Sequence, residues 1–387
     1  MSAKGTSPDP GTRQARALSD LPVPSFVGDF VLPGHLQLEC GRTLVCPTLR
    51  YAVYGQLNAA RDNVVLACHA LSGSALVGEW WPGLFTNRNH TAGPVKSGLV
   101  DLTNDCVVCI NLLGSCYGST GPGSVDPATG QVFGPNFPLI SVRDNVRAQA
   151  QLLDSLGISS LRLVLGASIG GMQALEWAIL YPTRVKRALV LAVAPLNASG
   201  LGHNHLQRQA ILMDPEWQGG NYSPERPPLR GLAMARQIAT ITYKSPQLFA
   251  SRFGRNPNPN GEDPWSLDRE GGGLRAGRFD ISGYLDHQGE VFHKRFDANS
   301  YLVILRTMEL WDPVRGYDSA QGAYARIQAE VTFVGIRTDV LFPAAEVRQL
   351  AQTVAAAGVR VQYLEMDSDH GHDAFLAEED KLFKLLS

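Results

Sequence analysis

The chain has 387 residues, of which 44% are hydrophobic and 18% are charged. This composition excludes a natively disordered protein, and the length suits two domains or one large α/β domain with an insertion. The 34 Lys and Arg residues nearly balance the 36 Asp and Glu residues, so the formal net charge is −2. That balance predicts no general attraction to nucleic acid or to an anionic membrane. The sequence contains no run of ~18 consecutive apolar residues that would predict a membrane-spanning helix.

The first 25 residues are polar and rich in proline, without the apolar segment of a secretory signal, and they predict a disordered tail.

Cys106 and Cys109 form a C-x-x-C pair, a spacing that can indicate a metal or redox site. They fall in a buried-strand pattern, in which side chains three residues apart point to opposite faces. The sequence has no second such pair to complete a tetrahedral site. We therefore expect reduced core thiols, no metal site and a cytoplasmic location.

Alternating apolar positions at 30–57, broken by Pro and Gly, predict that the sheet opens with antiparallel strands. Short runs rich in β-branched residues follow, and most are succeeded by a turn and a helical pattern. Such runs are typical of strands buried on both faces of a parallel sheet. They lie at 64–70, 106–112, 161–166, 188–194, 331–336 and 361–366.

Amphipathic patterns at 142–156 and 344–357 predict helices between these strands. The predicted fold class is therefore α/β, with a mostly parallel central sheet and helices on both faces.

The regular alternation stops near Pro195 and resumes near Val331. The intervening residues are richer in Trp, Tyr, Arg, Pro and Gly. They include helical stretches at 206–212, 231–243 and 300–311 and a polar loop at 254–273. We predict a core domain formed by 26–195 and 331–387, with 196–330 as a mostly helical lid insertion.

A G-x-S-x-G sequence at 166–170 follows the strand predicted at 161–166 and opens a helix predicted at 171–180. A serine at such a turn is held with its hydroxyl exposed above the sheet, and the glycines permit close backbone approach. A dinucleotide-binding fold is not indicated, because no G-x-G-x-x-G follows the early strands. Ser168 is therefore the candidate nucleophile.

A serine nucleophile needs a base, and the base needs an orienting carboxylate. In the α/β-hydrolase fold these follow in the order Ser, Asp or Glu, then His. Asp339 and His372 follow the last two predicted strands, at the edge where parallel sheets place their sites.

The loop around His372 leaves alternatives open. His370 is a rival base, because Gly371 gives the loop freedom to direct either ring. The rival carboxylates lie in the same loop, where turn capping is their more common role, and are Asp367, Asp369 and Asp373.

The oxyanion hole of such a site uses two backbone N–H groups. One belongs to the residue after the nucleophile, Ile169, and the other to the loop that follows an early strand. Leu71 is the expected second donor, and His69 beside it is expected to be structural.

Several segments of the chain resemble the homoserine O-acetyltransferase family of the α/β-hydrolase superfamily. They run from about residue 30 to the C-terminus and are specific in combination. They are HALSG at 69–73, NLLGSCYGSTGP at 111–122, GASIGGMQALEW at 166–177, RQAILMDPEWQGGNY at 208–222, MARQIATITYKS at 234–245, FDANSYL at 296–302, DVLFP at 339–343 and GHDAFL at 371–376. The chain departs from the family at Ala167, which is commonly Gly, at Ile169, which is often Met, and at 72–74, which is usually Thr-Gly-Asp.

The resemblance implies a homodimeric enzyme of methionine biosynthesis with no bound cofactor. Such an enzyme moves an acetyl group from acetyl-CoA to the hydroxyl of L-homoserine by a ping-pong mechanism. By position, Ser168 takes the acetyl group, His372 of the GHDAFL block is the base, and Asp339 orients it.

The resemblance also assigns the acceptor site. Arg236 and Tyr243 match positions that hold the amino-acid carboxylate, and Asp373 matches the carboxylate that meets the ammonium group. The alternatives are the same scaffold using succinyl-CoA or L-serine, or an esterase or thioesterase with water as the acceptor.

Overall fold

The computed structural model describes residues 21–86, 98–260, 264–265 and 277–387. Its main feature is an eight-stranded sheet with the strand order β1-β4-β6-β5-β7-β8-β9-β10. The strands of this sheet are β1 (Phe26–Val31), β4 (Thr48–Tyr54), β5 (Val64–Cys68), β6 (Cys106–Ile110), β7 (Leu163–Ala167), β8 (Arg187–Leu191), β9 (Glu330–Ile336) and β10 (Val361–Met366). A separate antiparallel pair is formed by β2 (His35–Gln37) and β3 (Thr43–Val45).

The first strands of the sheet are antiparallel, as the pattern at 30–57 predicts. β4 pairs in antiparallel orientation with both β1 and β6, whereas β6, β5, β7, β8, β9 and β10 are parallel neighbours. The chain enters the parallel part at β5, adds β6 on one side and then β7 on the other. Loops from β5 and β7 therefore diverge at this switch point, where α/β sheets form their clefts.

Helices cover both faces of the sheet. The helices outside the segment between β8 and β9 are α1 (Val77–Trp80), α2 (Val142–Ser155), α3 (Ile169–Leu180), α10 (Ala344–Ala356), α11 (Ala374–Ala377) and α12 (Glu379–Leu386). One apolar cluster joins the sheet to α2, α3 and α10, and a second joins it to α1, α11 and α12. Cys106 belongs to the first cluster and Cys109 to the second, and both are fully buried, so the C-x-x-C pair does straddle the sheet.

Helices also fill the described part of the chain between β8 and β9. They are α4 (Ala198–Leu212), α5 (Leu229–Tyr243), α6 (Pro246–Arg252), α7 (Asp280–His293), α8 (Ala298–Glu309) and α9 (Ala320–Tyr324). The sequence patterns predict parts of α4, α5 and α8 but miss α7, which contains two glycines. One of them, Gly289, lies so close to α5 that an added Cβ would be 2.9 Å from the Ala233 carbonyl oxygen. The glycine that weakens the helical signal is thus the residue that lets α7 and α5 pack closely.

Two predictions fall partly outside the described residues. These are the tail at 1–25, of which 1–20 lie outside, and the polar loop at 254–273, of which 261–263 and 266–273 lie outside. Ser25, at the end of the predicted tail, donates from its hydroxyl to the carbonyl oxygens of Val53 and Gly55 at 3.0 and 2.9 Å. Its contact with the end of β4 shows where the chain joins the sheet.

The strands β5 and β6 end two residues earlier than their apolar runs predict. Ala70 and Leu112 end these runs but lie in loops at the carboxyl edge of the sheet. Leu112 is nonetheless buried, which explains why its apolar pattern predicts a strand, whereas Leu71 lies in the loop where it is expected. Within the described ranges, none of the helices is both long and apolar enough to cross a membrane.

Candidate active site

Ser168 stands between the last residue of β7 and the first residue of α3, in a strained backbone conformation. Its φ is +58° and its ψ is −131°, a region that non-glycine residues rarely adopt and that costs about 1–3 kcal/mol. The two glycines of the motif are required because neighbouring backbone atoms leave no room for a side chain. A Cβ at Gly166 would collide with the backbone of Gly170, and a Cβ at Gly170 would collide with the Cys68 carbonyl oxygen at the end of β5. The turn therefore presses the first turn of α3 against the loop that follows β5.

His372 and Asp339 meet at the carboxyl ends of β10 and β9. The Nδ1 atom of His372 lies 2.7 Å from Oδ2 of Asp339. The other carboxylate oxygen accepts hydrogen bonds from the N–H groups of Leu341 and Phe342 at 2.8 and 2.9 Å. Both carboxylate oxygens are occupied, so the orientation of the imidazole is fixed and its Nε2 atom is left available.

Burial alone would lower the pKa of His372, but the adjacent Asp339 carboxylate outweighs burial and raises the pKa above its ordinary value. The protonated imidazolium is thus stabilised, which makes the neutral imidazole a stronger proton acceptor. The ring also lies 5.9 Å, centroid to centroid, from that of Tyr243, which ends α5. The candidate general base, His372, therefore lies next to the helical segment between β8 and β9.

The rival residues of the same loop have other surroundings. His370 has a buried Nδ1 atom with no hydrogen-bond partner among the described residues, and burial lowers its pKa. Asp367 and Asp369 both pair with Arg337, at 2.5 and 2.9 Å. The structure therefore brings His372, and not His370, to Asp339, and it engages these two rival carboxylates elsewhere.

The two expected oxyanion donors belong to the two segments that meet at Gly170, the first turn of α3 and the loop that follows β5. Ile169 is the first residue of α3, where backbone N–H groups have no acceptor within the helix. Leu71 lies in a turn that is closed by a hydrogen bond of 2.9 Å from the Gly73 N–H to the Ala70 carbonyl oxygen. His69 is fully buried beside this turn, and burial lowers its pKa to about 4, so it is neutral.

A cavity of about 800 Å³ opens beside Ser168 and His372. Arg236 and Tyr243 of α5 line it, and the guanidinium carbon of Arg236 lies 5.1 Å from the centre of the Tyr243 ring. Burial raises the pKa of Tyr243, so the phenol remains protonated. The three residues that the resemblance assigns to the acceptor all line this cavity, the third being Asp373.

Asp373 has a partner that the sequence did not indicate. Its Oδ2 atom lies 2.9 Å from Nζ of Lys244. Burial would raise the pKa of Asp373, but Lys244 and Arg236 outweigh it and hold the pKa below its ordinary value. The carboxylate is therefore charged, and a lysine ammonium sits where the resemblance puts a substrate ammonium.

The cavity is also lined by residues to which the sequence assigns no role. They are Glu79, Trp80, Tyr117 and Arg295. Tyr117 falls inside the NLLGSCYGSTGP block and Arg295 directly precedes FDANSYL, so the resemblance passes close to both without assigning them a role. Within the described ranges, no group of three or more His, Cys, Asp or Glu side chains is arranged to hold a metal ion.

Comparison with known proteins places this geometry in a family. The family model described as alpha/beta hydrolase fold matches residues 63–379. The homoserine O-acetyltransferase of Symbiobacterium thermophilum is 45% identical over 357 residues, which cover 89% of this chain and 88% of the relative. The chain belongs to the homoserine O-acetyltransferase family.

Relatives in and around the homoserine O-acetyltransferase family differ in the acyl group that they are named for. A homoserine O-succinyltransferase of Alkalilimnicola ehrlichii is 41% identical over 355 residues and is covered to 88%, as is this chain. Sequence similarity at this level therefore does not distinguish the acyl group.

Solved structures are similar over nearly the whole chain. The homoserine O-acetyltransferase of Bacillus anthracis has a TM-score of 0.78 at 25% identity, covering 94% of this chain and 97% of its own. An esterase has a TM-score of 0.76 at 26% identity, covering 92% of this chain and 99% of its own. The homoserine O-acetyltransferase scaffold is thus shared with an enzyme named as an esterase.

Proposed function

We propose that the protein transfers an acetyl group from acetyl-CoA to the hydroxyl of L-homoserine through an acyl-serine intermediate at Ser168. The observation that carries the proposal is a single cavity that holds two kinds of chemistry. It is lined by Ser168 and the Asp339-oriented His372, and equally by Arg236 and Asp373. The first set suits acyl transfer, and the second suits the carboxylate and ammonium of an amino acid.

In the first half-reaction, His372 accepts the Ser168 hydroxyl proton at Nε2 as the serine oxygen attacks the thioester carbon. The N–H groups of Ile169 and Leu71 are the proposed donors to the tetrahedral oxyanion, each worth roughly 10²–10³-fold in rate. The carbon–sulfur bond then breaks, and the imidazolium returns its proton to the departing CoA thiolate. The strained conformation of Ser168 and the hydrogen bonds of Asp339 support this assignment.

In the second half-reaction, the acceptor hydroxyl loses its proton to His372 and attacks the acyl-serine. The bond between the acyl carbon and the Ser168 oxygen then breaks, and the imidazolium returns its proton to that oxygen. The Arg236 guanidinium and the Tyr243 hydroxyl hold the acceptor carboxylate, and Asp373 holds its ammonium. Contacts at both ends of a zwitterion direct its side-chain hydroxyl at one point in the cavity, which lowers the entropic cost of the attack.

The Lys244–Asp373 pair adds a requirement to this model. The acceptor ammonium has to share or replace the lysine contact at 2.9 Å. Binding therefore exchanges one ion pair for another, and the carboxylate remains neutralised whether the acceptor site is occupied or empty. The proposal includes a homodimer on the family resemblance alone, and a cytoplasmic location because the cysteines are interpreted as reduced core thiols.

The main alternative is an esterase or thioesterase with the same nucleophile, which the structural similarity to an esterase favours. An esterase for neutral esters has no use for a guanidinium and a carboxylate arranged for a zwitterion. Succinyl-CoA and L-serine are the alternative substrates of the transferase itself.

The test is release of CoA from acetyl-CoA and from succinyl-CoA, each with L-homoserine, with L-serine or with no acceptor. We expect release from acetyl-CoA that depends on L-homoserine, with O-acetylhomoserine as the product. Strong release without an acceptor would replace the proposal with a thioesterase. Release that depends on succinyl-CoA or on L-serine would correct the substrate while keeping the reaction class.

A further inference from the structure

The turn that carries Leu71 is held by its carbonyl oxygens. The Ala70 carbonyl accepts a hydrogen bond from the Gly73 N–H at 2.9 Å and lies 2.8 Å from Nδ1 of His69. The Nε2 atom of His69 accepts from the Leu112 N–H at 3.0 Å, so the ring proton of this neutral histidine resides on Nδ1 and is donated to Ala70. Two donors thus fix one carbonyl.

Fixing this carbonyl also fixes the direction of the Leu71 N–H. The Ala70 carbonyl and the Leu71 N–H belong to the same peptide unit, which is trans, as are all peptide bonds in the described residues. In a planar trans peptide the C=O and N–H bonds point in opposite directions. Because the carbonyl is held by His69 and Gly73, the Leu71 N–H is turned away from them.

The next carbonyl along the turn is held from the other side of the cavity. The Nη1 atom of Arg295 donates to the Ser72 carbonyl oxygen at 3.0 Å and to the Tyr117 hydroxyl at 2.6 Å. Its guanidinium carbon lies 5.1 Å from the centre of the Phe292 ring. Arg295 follows α7, so a residue from between β8 and β9 reaches the loop that follows β5.

The Ser72 carbonyl and the Gly73 N–H again share one peptide unit. By the same geometry, Arg295 holds the carbonyl in the direction that turns the Gly73 N–H toward Ala70. A Cβ at Gly73 would lie 2.9 Å from Cβ of His69 and 3.3 Å from the Ala70 carbonyl oxygen, so the turn has no room for a side chain. Arg295 is therefore linked to Leu71 through two peptide units, because it bonds the Ser72 carbonyl and the Gly73 N–H of that unit bonds the Ala70 carbonyl.

We propose that Arg295 is a positioning residue that orients the oxyanion donor Leu71 N–H through the peptide units 72–73 and 70–71. The inference rests on the proposed function, because Leu71 is an oxyanion donor only if Ser168 is the nucleophile. Its consequence is that a segment outside the hydrolase core sets the geometry of the acylation step, in addition to contributing acceptor contacts.

A direct contact between Arg295 and a substrate makes a different prediction, since Arg295 also lines the cavity and is exposed. A substrate contact raises the KM of the substrate concerned. A positioning residue instead lowers the single-turnover acylation rate at saturating donor and leaves unchanged the donor concentration that gives half of that rate.

The experiment compares single-turnover acylation by acetyl-CoA without an acceptor in wild type, Arg295→Ala, Arg295→Lys and Gly73→Ala. The same variants are tested with S-acetyl-N-acetylcysteamine, a thioester that lacks the nucleotide. The control is Lys294→Ala, which removes the neighbouring exposed cation that pairs with Glu290 at 3.0 Å. Thermal melting identifies any variant that has lost its fold.

We expect Arg295→Ala and Gly73→Ala to acylate roughly 10- to 100-fold more slowly, a part of the effect of losing one oxyanion donor. The factor should be the same with both thioesters. Arg295→Lys should recover part of the rate, and Lys294→Ala should match wild type. A raised KM for acetyl-CoA or L-homoserine with a normal saturated rate would overturn the inference, and so would a wild-type rate in folded Arg295→Ala.

Ser168→Ala in the same assay separates the two proposals. If it still forms an acyl-enzyme, the proposed function itself fails. If it forms none while Arg295→Ala acylates normally, the proposed function stands and only the role of Arg295 is wrong.

Discussion

The hydrolase core and the helical segment between β8 and β9 contribute different kinds of side chain to the same cavity. The core supplies Ser168 at its strained turn and the His372–Asp339 pair, in which both carboxylate oxygens are occupied. The helical segment supplies Arg236, which stacks on aromatic rings, and Lys244.

The difference suggests a division of labour. Core groups are fixed by backbone hydrogen bonds and by burial, which suits groups that have to be in place before the reaction begins. Lys244 is held by an ion pair that an incoming ammonium group can exchange. We therefore expect changes at Ser168, His372 and Asp339 to remove chemistry, and changes at Arg236 and Lys244 to alter acceptor binding. Arg295 is the exception in the helical segment, because it is proposed to act on the acylation step.

The strongest test of this division is Ser168→Ala. Both half-reactions pass through the serine oxygen, so turnover should fall by roughly 10⁴-fold or more. Steady-state CoA release and intact-protein mass spectrometry would measure the loss. A folded variant with near-normal turnover would show that the core nucleophile has been misassigned.

Asp339→Asn should also act on the chemistry, lowering the acylation rate by roughly 10²–10⁴-fold. It should change the pH profile as well. Asp339 raises the pKa of His372, so the wild-type rate should increase with pH through a midpoint above ~6.5. Without the carboxylate, burial dominates, and the midpoint of the residual activity should move to lower pH. An unchanged midpoint would mean that His372 is not the titrating base.

Arg236→Lys tests the other side of the comparison. A single ammonium cannot reproduce the forked geometry of a guanidinium, so the KM for L-homoserine should rise by roughly 10- to 100-fold, equivalent to about 1–3 kcal/mol. Acylation by acetyl-CoA without an acceptor should be unchanged, which stopped-flow measurement of CoA release would show. An equal loss in both steps would contradict the division between core and helical segment.

Lys244→Met should have the smallest effect. Removing the lysine frees Asp373 for the acceptor ammonium, so the KM for L-homoserine should fall a few-fold while the acylation rate stays constant. Lys294→Met removes an exposed charge of the same sign that pairs with Glu290 and serves as the control. A higher KM in Lys244→Met would show that the lysine assists acceptor binding instead of competing with it.

Much of the core could be predicted from the sequence because its signals are local. The buried parallel strands appear as continuous apolar runs, and the G-x-S-x-G motif lies where β7 meets α3. The strand ends were less predictable. Leu112 is buried in a loop beside the site, and the apolar pattern of such a residue is the same as that of a strand residue.

The helical segment and its cavity residues were harder to predict. Helix α7 was missed because Gly289 weakens its helical signal while permitting close contact with α5. Lys244 and Arg295 act through partners that are 129 and 223 positions away in sequence, Asp373 and Ser72, and no local pattern connects such pairs. The choice between His370 and His372 was likewise undecided by spacing and depended on which ring reaches Asp339.

The most direct test of the account is to follow the acetyl group after wild-type protein is mixed with acetyl-CoA. Peptide mass spectrometry would locate the group, and quenched time points would give its decay with and without L-homoserine. We expect acetylation of Ser168 and decay that L-homoserine strongly accelerates, with O-acetylhomoserine as the product. Acetylation at another residue, or decay that is equally fast without L-homoserine, would contradict it.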